Sequence, residues 1–173
     1  MTTLYRTQAP TPCVPLVVLL RQLMFLLEQL DDEEYVAARA RGISGSIGGH
    51  VRHCLDHVNA LVAGAATGEV NYDSRRRDTV VERRRDAALD ESRRLCDRLS
   101  DLAMLPSDVE LKLWGALETE GPPIASMSTL GREVAFVVSH TIHHFAVIAL
   151  LLWAMGREVP ARFGYAPSTP TAA

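Results

Sequence analysis

The chain has few cysteines and no motif that would join them. Cys13, Cys54 and Cys96 are widely separated, their number is odd, and no CxxC pair occurs. This pattern argues against both a disulfide framework and a zinc ribbon. Free thiols persist in a reducing compartment, so the sequence predicts a cytoplasmic location.

An excess of charge of one sign is also missing. The 18 basic and 21 acidic residues leave a formal net charge of −3. Arginine supplies almost all of the positive charge, and the arginine-rich segment 75–98 is interleaved with acidic residues. Nucleic-acid binding usually requires a basic surface. We therefore expect no nucleic-acid partner.

The chain lacks a long apolar run free of polar residues. The segment CVPLVVLLRQLMFLL is interrupted by Arg21 and Gln22, and no small-residue cleavage site follows it promptly. The other apolar segment, near the C-terminus, contains histidines. A membrane-spanning helix needs about 20 predominantly apolar residues, so we expect neither export nor a membrane span.

Two common catalytic motifs are absent as well. GSIGG precedes a predicted helix, but no strand precedes it and no Lys-Ser or Lys-Thr pair follows, which argues against a phosphate loop. No serine or cysteine stands out as a nucleophile. Cys54 lies in the middle of an apolar helical face, where a core role is expected.

Four amphipathic segments are present, and their pattern is typical of helices. Ser46 is a predicted N-cap, Thr79 and Glu82 form a capping box, and Gly156 is a C-terminal stop. The predicted helices cover about 15–30, 46–66, 79–102 and 128–156. The pattern predicts a single all-α domain over 1–173, with a four-helix bundle at about 15–156. An extended N-terminus at 1–14 and a Pro/Gly-rich tail at 157–173 complete it.

The connection between the third and fourth predicted helices is longer than the others. In it, Val109, Leu111 and Leu113 alternate with polar residues, which is typical of a strand with one buried face. We therefore expect a small β-hairpin in this connection.

The last predicted helix carries histidines on its apolar stripe. His140 and His144 lie one helical turn apart, on the stripe that also contains Glu133, Val137 and Leu151. Two imidazoles at this spacing can bind one metal ion, as in helical zinc motifs. The alternative is a pair of core histidines, each satisfied by a hydrogen bond.

The second predicted helix carries the other three histidines, His50, His53 and His57. If the two helices face each other, three or four imidazoles converge. Three protein ligands plus water are typical of a catalytic metal, whereas four suit a structural one. Helical periodicity places His50 and His57 nearer the centre of the apolar face than His53, and it does not settle which ring binds.

Two segments resemble the DinB/YfiT-like superfamily of bacterial four-helix-bundle proteins. SIGGHVRHCLDH resembles the motif on that family's second helix, and SHTIHH resembles the H-x-x-x-H motif on its last helix. The following GREVP is similar to the family's usual exit from the last helix. The resemblance implies a metal triad of His53, His140 and His144. It also implies a divalent ion such as zinc, nickel or iron, with open positions for water.

The resemblance implies several kinds of function. Relatives include S-transferases and isomerases that use low-molecular-weight thiols, apparent hydrolases, and proteins named for damage or stress induction. The first hypothesis is a metal-dependent transferase or hydrolase that acts through a metal-bound water or thiolate on a small molecule. The alternatives are a non-catalytic metal-binding protein and a metal-free dimerisation module. Relatives often form homodimers, and the apolar first helix would suit such an interface.

Three histidines are additional to the minimal family pattern. His57 is a candidate fourth ligand, a second-shell partner, or a pH-sensitive group near a bound water. A plain surface role is the remaining interpretation of His57. His50 and His143 are predicted to be flanking residues.

Three further residues are candidates for substrate binding. Glu133 could be a general base, or a first-turn acid favoured by the helix dipole. The loop NYDSRRRD contains Tyr72 and Arg77. Its arginines could hold a carboxylate or phosphate by bidentate hydrogen bonds, or they could be solvated and paired with neighbouring acids.

Overall fold

Helices make up most of the computed structural model, which describes residues 13–37, 44–74, 79–118 and 120–170. The helices in these ranges are α1 (Val14–Leu27), α2 (Asp32–Val36), α3 (Ile47–Thr67), α4 (Val80–Arg83), α5 (Arg85–Leu102) and α6 (Leu130–Ala154). The strands are β1 (Glu69–Asn71), β2 (Glu110–Gly115) and β3 (Ile124–Thr129). The chain is therefore mostly helical, as predicted, and its small sheet has three strands rather than the two of the predicted hairpin.

The four long helices surround one apolar core. Helix α3 packs against α5 and α6, and α1 packs against the same two helices. Each helix contributes fully buried side chains, for example Leu23 of α1, Leu61 of α3, Leu95 of α5 and Phe145 of α6. Burying one such side chain contributes about 1.5–3 kcal/mol, so this core is what holds α3 and α6 side by side.

Local signals in the sequence set the ends of α3. The Ser46 hydroxyl accepts a hydrogen bond from the Gly49 amide at 3.1 Å, which makes Ser46 the N-cap as predicted. Gly68 ends the helix in the left-handed region, at φ 79°. These caps define the helix that carries His50, His53 and His57.

The prediction of one continuous helix from Thr79 to Leu102 is wrong. The backbone is extended at Arg84, with φ −128° and ψ 115°, and this residue separates α4 from α5. The capping box also fails, because the Thr79 side chain makes no cap hydrogen bond. The Glu82 carboxylate instead forms an ion pair with Arg52 of α3 at 2.9 Å. Tertiary contacts therefore replace the local pairing that the sequence predicts.

The predicted hairpin is present as β2 and β3. These strands pair antiparallel, with Lys112 opposite Met127. Strand β1 adds to β2 in the parallel direction, with Val70 opposite Leu113. The sequence predicts no strand at β1, because three residues with one buried side chain give no recognisable alternation.

Helix α6 begins directly after β3 and carries the other three histidines. The Thr129 hydroxyl caps it by accepting from the Arg132 amide, and Gly156 follows its end at φ 74°. By length and composition α6 could cross a membrane, but core helices of soluble proteins pass the same test. Its packing against α3 and α1 makes α6 a core helix of this domain.

The tail after α6 folds back onto that helix. The Phe163 ring stacks on the Phe145 ring at a centroid distance of 4.4 Å. Gly164 adopts φ 77°, and a Cβ atom added there would lie 2.6 Å from the Ala146 amide nitrogen. Only glycine allows this close approach, so the FGY segment is held against α6.

Gly48 and Gly49 provide a test of how α3 packs. A Cβ atom on Gly48 would lie 2.2 Å from the backbone oxygen of Glu82 and 2.9 Å from the Tyr35 ring. On Gly49 it would meet nothing closer than 3.6 Å. We expect Gly48→Ala to lower the free energy of unfolding by about 2 kcal/mol, because overpacking outweighs the gain in helix propensity.

Gly49→Ala is the matched control. It should leave the free energy of unfolding unchanged or raise it by up to about 1 kcal/mol, because alanine is the better helix former. Urea denaturation of both variants measures the difference. Equal midpoints for the two variants would contradict this account of the contact between α3 and α4.

Candidate metal centre

The packing of α3 against α6 brings the histidines of the two helices together. The Nε2 atoms of His53 and His140 are 2.8 Å apart. The His53 ring lies 4.4 Å from the His57 ring and 4.4 Å from the His144 ring, measured between centroids. The convergence that the sequence predicts for facing helices is therefore present.

Three of these rings offer nitrogen atoms to one common space. His53, His57 and His140 each present one ring nitrogen, and the three atoms lie within 4.8 Å of one another. His57 is buried, whereas His53 and His140 are half-buried. These three histidines could hold a metal ion.

His144 is adjacent to this group rather than part of it. Its ring centroid is 4.7 Å from that of His140. The structure therefore places two of the three predicted ligands, His53 and His140, in the group and adds His57. The role of His144 as a ligand stays a prediction.

The hydrogen bond of His57 determines which of its ring nitrogens carries the proton. Its Nδ1 lies 2.9 Å from the backbone oxygen of His53. A carbonyl oxygen only accepts, so Nδ1 carries the proton and donates it. In a neutral ring Nε2 then keeps its lone pair, which is the form that binds a metal ion.

His50 and His144 are in direct contact, which the sequence analysis does not predict. Their Nδ1 atoms are 3.0 Å apart, and the His50 Nε2 atom lies 3.2 Å from the backbone oxygen of Ser44. His143, by contrast, is exposed and touches His144 only edge to face. Of the two predicted flanking histidines, His50 therefore belongs to the cluster.

Burial and the neighbouring rings favour the neutral form of His144 and His50. Burial first, and then the neighbouring His140 and His50 rings, lower the pKa of His144 to about 3. Burial also lowers the pKa of His50, against the opposing effect of its hydrogen bond to Ser44. Metal binding requires deprotonated imidazole, and the lowered pKa of His144 gives this ring that form at neutral pH.

Two aromatic rings line the cluster on one side. Tyr72, which follows β1, stacks on His57 with 5.2 Å between centroids and 9° between planes. Phe136 of α6 stacks on His140 at 5.7 Å. Phe136 was missed in the sequence, although its position one helical turn before His140 places both rings on one face of α6.

A buried carboxylate holds Tyr72 in place. Glu133 is 0% exposed, and it accepts hydrogen bonds from the Tyr72 hydroxyl at 3.0 Å and the Ser128 hydroxyl at 2.6 Å. The Arg132 guanidinium donates a third, at 2.7 Å. Burial, and then the charge of Glu133, raise the pKa of Tyr72, so the phenol stays protonated. No local pattern in the sequence identifies Ser128 and Arg132 as partners of this carboxylate.

The predicted substrate contacts of Tyr72 and Glu133 stay predictions, since both groups are engaged with each other. Arg77 lies outside the residues that the structure describes. Asp56, beside the cluster on α3, forms an ion pair with Arg52 at 2.9 Å.

Comparison with known proteins gives two findings. The family model described as the DinB superfamily matches residues 16–148. A protein of Rhizopus delemar named "FK506-binding protein 5" is 31% identical over 101 residues, which are 58% of this chain and 26% of that protein. The chain thus spans about a quarter of the length of this curated relative.

The lowered pKa of His144 predicts an acid dependence of stability. Its ordinary value is 6.5, and in the folded protein it is about 3. Between these values the unfolded chain takes up a proton at His144 and the folded chain does not. In metal-free protein the free energy of unfolding should therefore fall as pH is lowered from 6.5 towards 3.

Chemical denaturation of chelator-treated protein across this pH range measures the slope. His144→Gln should flatten it, because the variant has no imidazole to protonate. His143→Gln, which alters the exposed neighbour, should keep most of the slope. If wild type and His144→Gln show the same slope, the acid dependence of stability does not come from His144.

Proposed function

The chain belongs to the DinB superfamily, and from that premise we propose that it binds a divalent metal ion between α3 and α6. The observation that carries the proposal is the group of three imidazole nitrogens within 4.8 Å of one another. Within the proposal, the four long helices α1, α3, α5 and α6 form a four-helix bundle of the DinB type. Such bundles build their sites from side chains on facing helices.

The donor set fits a divalent ion of the zinc, nickel or iron type. Imidazole is a good ligand for each of these metals. His53 and His140 belong both to the geometric group and to the triad that the resemblance implies. We assign the third position to His144, whose ring is 4.4 Å from that of His53, and we place His57 beside the metal as an outer partner.

The proposed role is catalytic, as a transferase or hydrolase acting on a small molecule or a low-molecular-weight thiol. A bound divalent ion would supply Lewis-acid chemistry to such a reaction. The half-buried state of His53, His140 and His144 supports this role, because a substrate could reach the site from solvent.

The neighbouring side chains would shape the site. The Tyr72 and Phe136 rings form an apolar wall against His57 and His140. The Glu133 carboxylate orients the Tyr72 phenol by accepting a hydrogen bond from its hydroxyl group. The wall would exclude water from one side of a bound substrate.

A second candidate is a non-catalytic metal-binding protein. The buried His57 favours it, because the Nε2 atom of this ring could close the coordination shell with a fourth histidine. The two candidates therefore differ in whether His57 is required for binding.

A cytoplasmic location and a homodimer complete the proposal. Free Cys13, Cys54 and Cys96 are compatible with a reducing compartment. Exposed apolar side chains on α1, among them Val14, Val18 and Phe25, would suit an interface between two copies.

The first test is metal content. Protein purified without added metal should contain about one divalent ion per chain, because one cluster of imidazoles is present. We expect His53→Ala and His140→Ala each to weaken binding by more than about 100-fold, since removing a ligand should cost at least as much as removing an outer partner. Elemental analysis and chelator competition measure both effects.

His143→Ala serves as the control for this test, because the exposed ring lies beside His144 without joining the group. It should keep the wild-type metal content. Metal-free wild-type protein that also fails to take up added zinc, nickel or iron would refute the proposal.

The ligand set separates catalytic from structural use. With three ligands, His144→Ala should lose the metal and His57→Ala should keep it within about 10-fold in affinity, as expected for an outer partner. Absorption spectra of the cobalt-substituted protein report coordination in each variant. Equal loss in both variants would favour the four-histidine structural site instead.

A further inference from the structure

We propose that His50 is a positioning residue that fixes the protonation pattern of the His144 ring, so that His144 offers its Nε2 atom, and not Nδ1, to the metal. This inference rests on the proposed metal-binding function. It adds a hydrogen-bonded chain that runs from the backbone of Ser44 through His50 to His144.

The chain begins at a group that can only accept a hydrogen bond. The backbone oxygen of Ser44 lies 3.2 Å from the Nε2 atom of His50. A carbonyl oxygen has no proton to give, so Nε2 of His50 must be the donor. A neutral imidazole has one N–H group, which leaves the Nδ1 atom of His50 as an acceptor.

The tautomer of His50 in turn determines the tautomer of His144 on α6. The Nδ1 atom of His50 is 3.0 Å from the Nδ1 atom of His144. Two bare nitrogens at this distance would repel each other, so one of them must donate. Because Nδ1 of His50 is the acceptor, Nδ1 of His144 carries the proton. The lone pair of the neutral His144 ring is then on Nε2.

The backbone conformation before α3 places the Ser44 carbonyl oxygen close to His50. Gly45 adopts φ 94°, a conformation that other residues rarely take, between Ser44 and the N-cap Ser46. A Cβ atom on Gly45 would lie 3.6 Å from Nε2 of His50, so this turn runs close to the ring. The carbonyl that orients His50 is therefore set by a turn and not by a mobile side chain.

The His144 ring also packs against two of the proposed ligands. One edge, with Nδ1, contacts His50, while the ring as a whole packs against both His53 and His140. Metal-binding histidines commonly donate their other ring N–H to a partner that fixes the tautomer. In this chain the partner is another imidazole, which is itself held by a backbone carbonyl.

The test compares two substitutions at one position in the zinc-loaded protein. His50→Leu removes the acceptor and should weaken zinc binding by about 10–100-fold, as expected for loss of an outer partner. His50→Asn places an amide oxygen where Nδ1 lies and should restore affinity to within about threefold, since an amide oxygen accepts as Nδ1 does. His143→Leu, at the exposed neighbour, should bind zinc as wild type does.

The second readout is the tautomer itself. Nitrogen-15 NMR of histidine-labelled, zinc-loaded wild type should show a proton on Nδ1 of His144 and the metal on Nε2. In His50→Leu this single pattern should be lost. A purely structural role of His50 would lower stability without changing the tautomer. If the wild-type spectrum shows the metal on Nδ1 of His144, that result alone overturns the inference.

The outcomes separate this inference from the proposed function. If wild type binds zinc and His144→Ala loses it, but His50→Leu binds as wild type does, the inference alone is overturned. If His144→Ala binds zinc as tightly as wild type, the assignment of His144 as a ligand fails, and the inference fails with it. If wild type binds no zinc, nickel or iron, both this inference and the proposed function fail.

Discussion

The packing of α3 against α6 is the constraint on which the rest of the site depends. Apolar side chains such as Val51 and Val58 of α3 and Val137 and Phe145 of α6 are buried in the shared core. Their burial holds the two helices at a distance where imidazoles from both can touch. The histidines add little apolar surface of their own, so the core provides the stability and the rings occupy the position that it creates.

A cluster of polar rings inside a helical domain is tolerated only if its polar atoms have partners. The backbone oxygen of His53 accepts from His57, and that of Ser44 accepts from His50. On the other side of the cluster, the buried Glu133 carboxylate is satisfied by Tyr72 and Ser128 as well as by an arginine. The hydrogen bonds to the backbone oxygens of His53 and Ser44 restrict the His57 and His50 rings to defined orientations.

The sequence analysis was most accurate where a feature depends on neighbouring residues along the chain. The Ser46 cap and the stop at Gly156 are predicted correctly, because capping involves residues within one helical turn. It was wrong at Thr79, where the same local argument predicted a capping box. There a partner distant in sequence, Arg52, attracts the Glu82 carboxylate. Strand β1 is not predicted for a related reason. Its partner β2 is also distant in sequence, because it follows α5.

The sequence by itself determined that six histidines lie on two helices and that His140 and His144 share one face, because both follow from residue identity and helical period. The DinB family was indicated separately, by the resemblance of two motifs. Only the tertiary structure decided which rings meet. Periodicity identifies the apolar side of one helix, but contact across an interface also depends on how the second helix is aligned with it. That alignment joins His53 to His140 and His50 to His144, and it places the half-buried His53 nearer to α6 than periodicity indicated.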